Sequence, residues 1–107
     1  MTESEFETLA GAALAALERA FEASAPDADV QSKGEGLLEI EFDDGSKMVI
    51  NRHSAAREIW VAARAGGFHF RHDGTAWRDT RDGAELFAAV SALVSQQGGI
   101  PVVLRAR

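Results

Sequence analysis

Between Lys47 and Phe70 the chain reads KMVINRHSAAREIWVAARAGGFHF, and this stretch constrains the fold more than any other. It holds three short apolar-alternating runs, Met48–Asn51, Glu58–Ala63 and Phe68–Phe70, with Asn51–Arg52 and Gly66–Gly67 in the gaps. Period-two alternation describes a strand with one buried face and one free face. In Glu58–Ala63, Ile59, Val61 and Ala63 share one face, and Glu58, Trp60 and Ala62 share the other. With Ile59 and Val61 turned to the core, Trp60 is expected to point outward, uncovered. A large aromatic on the free face of a sheet marks a contact site.

The flanking sequence supplies what closes the other face. Phe6, Leu9, Ala10, Ala13, Leu14, Leu17 and Phe21 recur at helical spacing and predict an amphipathic helix over residues 4–23. Thr2 with Glu5, or Ser4 with Glu7, fits a capping box, and Ser24-Ala25-Pro26 ends the helix. Strands are expected at 27–33, 37–42, 47–51, 58–63, 68–71 and 75–79, with Asp43-Asp44-Gly45-Ser46 as a hairpin turn and 52–57 as a connector. A second helix is expected over 83–97, opened by an Asp82/Glu85 capping box and closed by Gly98-Gly99. The apolar tail 100–104 either lies in the groove between the helices or adds a strand. Helix, antiparallel strands, helix predicts an α+β two-layer sandwich: one domain over 1–107, both helices on one face of a sheet of five to seven strands.

Composition narrows the function. The 107 residues include no cysteine, which removes disulfides, thiolate nucleophiles and cysteine-ligated metals. No run approaches the roughly 18 apolar residues of a membrane span, and the N-terminus is acidic where a secretory signal is basic, so a cytoplasmic location is expected. The formal charge of −6 argues against nucleic acid. The charge is uneven: residues 1–45 hold 12 acids and 2 bases, residues 46–107 hold 5 acids and 9 bases. Two surfaces with different partners are one explanation, and uneven solubilising charge is the other.

At 100° per residue Glu7, Glu18 and Glu22 fall in a narrow arc beside the apolar face of the first helix. Glu18, Glu22, Asp27 and Asp29 can converge where that helix meets the first strand. Such carboxylates suit a hard cation, and with no cysteine and no helical histidine pair any site is open, weak and poorly selective. They equally suit docking a basic surface. Trp77, on the strand before the second helix, reads as core or core rim. His69 and His72 are three apart, which places them on opposite faces of a strand and makes them a poor chelating pair. No nucleophile–base constellation or glycine-rich phosphate loop can be placed.

The acidic first helix is followed by Gly36-Leu37-Leu38, Asp44-Gly45-Ser46-Lys47, Ile50-Asn51-Arg52, Ile59-Trp60-Val61-Ala62, Gly66-Gly67-Phe68-His69-Phe70, Trp77 and Asp82-Gly83. Together these segments resemble the frataxin family, most closely its bacterial branch. The resemblance implies a non-enzymatic protein that binds Fe2+ or Fe3+ weakly through surface carboxylates, here Glu7, Glu18, Glu22, Asp27 and Asp29. It implies a cysteine desulfurase and an iron–sulfur scaffold protein as partners, with Asn51, Arg52, His53, Trp60, His69, Glu39 and Glu41 as the contact set. Neither nucleic acid nor membrane is an expected partner, and the expected form is a monomer, with metal-induced association as the alternative. A metal-independent acidic interaction module is the competing reading.

The chain departs from the family pattern twice. The family places glutamine after Asn-Arg and again two positions before the tryptophan, where this chain has His53 and Glu58. Arg19, Ala23, Ala25 and Gln31 stand where a denser acidic ridge would carry acids, so weaker iron binding is expected.

Overall fold

The computed structural model describes residues 1–106. Helix α1 spans Glu3–Ser24 and helix α2 spans Leu86–Gly98. Between them run β1 (Asp29–Ser32), β2 (Leu37–Glu41), β3 (Lys47–His53), β4 (Glu58–Ala63), β5 (Gly66–His72) and β6 (Trp77–Asp79). The six strands form one antiparallel sheet in sequence order, each hairpin turning directly into its neighbour. This is the α+β sandwich that the pattern predicts. Leu38, Ile40, Met48, Ile50, Ile59, Val61, Phe70 and Trp77 turn to the helices and join Phe6, Leu14, Leu17, Phe21, Leu86, Val90 and Val94 in one buried cluster. Among the described residues no helix lies over the opposite face of the sheet.

Helix α1 begins at the earlier of the two capping boxes. Thr2 Oγ1 accepts from Glu5 N–H and the Glu5 carboxylate accepts from Thr2 N–H. Helix α2 begins three residues later than its sequence suggests. Residues 83–85 stay out of the helix because they continue to bond β6: Gly83 N–H donates to Asp79 O, Asp79 N–H donates to Ala84 O, and Glu85 forms a bridge with Arg78. Glu85 is therefore the cap itself, accepting from the N–H groups of Phe87 and Ala88, while Asp82 accepts from Ala84 N–H. Gly99, at φ +75°, ends the helix in the left-handed conformation that glycine adopts freely.

Strand boundaries differ as well: β1 and β6 are shorter than expected, at Asp29–Ser32 and Trp77–Asp79. β3 continues through Arg52 and His53, which leaves only Ser54–Arg57 as connector, with a 3-10 turn over Ser54–Ala56. Gly66 and Gly67 belong to β5, and the turn is the pair Arg64-Ala65. The tail adds no strand. It runs back along α2, with Leu104 buried, Leu104 N–H donating to Ser91 Oγ and Val102 N–H to Ser95 Oγ. Gln97, also buried, ties the end of α2 to the sheet by donating to Ser46 Oγ and Lys47 O and accepting from Arg64 N–H.

Candidate functional site

Antiparallel register fixes which side chains share the outer face, because directly opposed residues point the same way. Asn51 opposes Trp60, and Trp60 opposes His69; His53 opposes Glu58. Asn51, His53, Trp60 and His69 are thus neighbours on the outer face. The His53 ring lies 3.9 Å from the indole of Trp60 at 10°, and the His69 ring lies 4.6 Å from it at 12°. The indole is a slab between two imidazoles. It is half-buried, not uncovered as the alternation predicts. Its two faces are taken by histidines and its Nε1–H donates to Glu58 Oε1 at 2.8 Å.

Glu58, which the sequence puts on the Trp60 face but not in the contact set, joins this group. It sits on the outer face yet is 7% exposed, covered by the groups it holds. Oε2 accepts from Arg71 Nε at 2.8 Å, and His69 Nδ1 stands 3.6 Å from Oε1. Burial pushes its pKa up, but the hydrogen bonds from Trp60 and Arg71 and the charge of Arg71 outweigh that, so the carboxylate lies below the usual glutamate range. The available signal was its spacing of two from Trp60, which puts both on one face of β4. His53 Nδ1 is buried without a hydrogen-bond partner, so the ring lies flat on the indole at the cost of one polar atom.

Arg52 does not join this group. One residue along from Asn51, it turns to the helix side, opposite Ile59. There its Nε meets Glu7 Oε2 at 3.0 Å and its Nη2 meets Glu35 Oε2 at 3.4 Å. Its stem crosses Gly36, where a Cβ would meet Arg52 Nε at 2.6 Å and where φ is +78°. Glu7 also accepts from Ser54 Oγ. This carboxylate is committed to joining α1 to the end of β3.

The other acids are spread. Glu18 lines a groove between α1 and β2–β3 that Arg52 also lines. Glu22 and Asp27 are exposed at and just beyond the end of α1. Asp29 opposes Glu41 on the outer face, and Glu41 opposes Lys47. That Asp29–Glu41 pair of like charges, invisible without the register, is unfavourable by itself and has Lys47 beside it. Glu39, one pleat along, accepts from Lys33 Nζ at 3.1 Å with Lys47 Nζ at 3.5 Å, and the Lys33 bond holds it below the usual range. Among the described residues no three His, Asp or Glu side chains stand close enough to form a metal site. The donors suit a hard cation singly or in pairs, not as a cage.

Trp77 lies on the helix side, 6% exposed, its ring edge-on to Phe6 at 5.9 Å. His72 meets that indole at 5.2 Å, away from His69, so the two histidines are divided as their spacing predicts. Among the described residues no helix is long and apolar enough to cross a membrane.

The family model of the frataxin-like domain matches residues 1–100. The chain belongs to the frataxin family. Its relatives agree along nearly their whole length. It is 59% identical over 105 residues to the iron-sulfur cluster assembly protein CyaY of Dechloromonas aromatica, covering 98% of this chain and 100% of that one. It is 52% identical over 108 residues to the protein of the same name from Cupriavidus metallidurans, covering 98% and 97%. A solved frataxin from Psychromonas ingrahamii superimposes with a TM-score of 0.86 at 32% identity, covering 95% of this chain and 96% of that one. The bacterial branch of the frataxins is therefore where this chain stands.

Proposed function

We infer that this frataxin is a non-catalytic regulator or adaptor of iron–sulfur cluster assembly in the cytoplasm. It binds iron weakly as cargo, docks a cysteine desulfurase through its N-terminal acids, and meets the scaffold protein with its outer sheet face. The observation that carries this reading is the outer face itself. Both helices close one side of the sheet and leave the other with an aromatic cluster centred on Trp60. Aromatic anchors of this kind are common hot spots of protein interfaces. The names of the relatives supply the pathway.

The scatter of the acids favours a second reading for the ridge. Glu7 is bound to Arg52 and the described residues hold no cluster of three ligands, so docking without metal accounts for the same charge. Two measurements separate the readings. Titration with Fe2+ under anaerobic conditions should move the amide signals around Glu18, Glu22 and Asp29 if the ridge holds iron, and an unmoved spectrum at millimolar metal leaves docking alone. A Glu18→Lys/Glu22→Lys variant should weaken desulfurase binding more at low salt than at high salt, since exposed charges are screened over about 10 Å at 0.1 M. Equal affinity at low salt would remove the docking claim.

A further inference from the structure

We propose that Glu58 is a positioning residue for Trp60: its carboxylate holds the indole between His53 and His69 and so sets the surface that a partner meets. The proposal rests on the reading that this face docks the scaffold protein, and it goes beyond that reading by naming what shapes the contact.

An indole has one polar atom. Here that atom, Nε1, is spent on Glu58 Oε1 at 2.8 Å. Both faces of the ring are covered at stacking distance. What remains for a partner is the carbon edge of the indole and the outer edges of the two imidazoles. Which edge is presented depends on where Nε1 points, and that is decided by Glu58. The glutamate is itself anchored, since its second oxygen accepts from Arg71 on the neighbouring strand.

Imidazoles and guanidinium groups surround Glu58, and the outermost of them, Arg78, is also paired with Asp73 at 3.5 Å. His53 comes from β3, His69 and Arg71 come from β5, Arg78 lies next along the same row on β6, and Arg57 precedes it in the chain. A buried carboxylate among cations and imidazoles remains ionised and is a strong acceptor for the indole N–H. Without it the indole N–H would lose a partner in a half-buried place, and the ring would be free to turn out of the stack. The unpartnered His53 Nδ1 points the same way: the imidazole keeps flat contact with the indole instead of rotating to satisfy its own nitrogen.

The test uses the two indole N–H signals of the whole protein in 1H–15N spectra, with core Trp77 as the internal reference. In the wild type the Trp60 indole signal should exchange slowly with solvent and shift with an acid titration below the ordinary glutamate range. Glu58→Gln should keep the slow exchange, because its carbonyl still accepts, and lose the acid step. Glu58→Ala should exchange faster and bind purified scaffold protein about tenfold more weakly, with Glu58→Gln restoring most of that affinity. An identical Trp60 indole signal in all three proteins overturns the proposal, and so does a Glu58→Ala protein that binds scaffold as tightly as the wild type. If Glu58→Ala does not fold, loss or survival of the acid step in Glu58→Gln decides. A wild type that does not bind scaffold would overturn the functional reading instead, and the indole spectra would still decide the role of Glu58.

Discussion

Single residues explain the two tryptophans. Both stand in strands, but Trp77 packs on Phe6 in the core and Trp60 stands in a ring stack on the far side of the sheet. Trp77→Ala or Phe6→Ala should cost about 3–5 kcal/mol in urea unfolding, the usual result of emptying a core aromatic site. Trp60→Ala should cost well under half of that. Gly36 is fixed twice, by a positive φ and by the Arg52 stem lying where a Cβ would go. Gly36→Ala should lose about 1–3 kcal/mol, measured in the same way. Alternation placed Trp60 on the correct face, and position before the second helix placed Trp77 at the core. It could not reveal that two histidines cover the outer indole, since that depends on register across three strands. Nor could it place Arg52, whose face depends on β3 running two residues further than its pattern.

The pH dependence of stability also belongs to single residues. Glu58 has a lowered folded pKa, so its contribution is present above the unfolded value of about 4.3 and is lost as pH falls through the folded value. The stability gap between wild type and Glu58→Gln should therefore be constant near neutrality and close as pH drops below about 4.3. A gap that widened with acid would contradict the assigned partners.

Elements were legible in kind and order, and their ends were not. Apolar periodicity found both helices and the central strands, because burial on one face leaves a period that one sequence displays, and turn residues marked off the two outer strands. Capping was ambiguous because several acids and hydroxyls offer caps and only tertiary bonds choose among them. Glu85 is the cap of α2, since the segment before it is still paired with β6. Glu85→Ala should lower the melting temperature by the equivalent of about 1 kcal/mol, and Asp82→Ala by less. Equal losses would place the helix start where the sequence alone suggests it. The tail illustrates the same limit. Its apolar residues announced burial, but its place along α2 is set by the Ser91 and Ser95 hydroxyls, whose role in a helix interior no pattern reveals.

At the scale of the molecule, the division into two sides is the fact on which function turns. One side is closed by helices and carries the Glu7–Arg52 pair that joins α1 to the sheet. The other is open, acidic toward β1 and β2 through Asp29 and Glu41, and basic toward β5 and β6 through Arg71 and Arg78. The charge asymmetry along the sequence thus maps onto opposite edges of one sheet as well as onto α1. Family likeness made the open face expected, and the register determines which residues occupy it. The most direct test is to add unlabelled scaffold protein to the 15N-labelled chain and follow every amide and indole signal. The account predicts that the perturbed residues cluster on Asn51, His53, Trp60 and His69, with the outward-facing half of α1 unmoved. Perturbations confined to the helices, with the Trp60 indole unchanged, would contradict it.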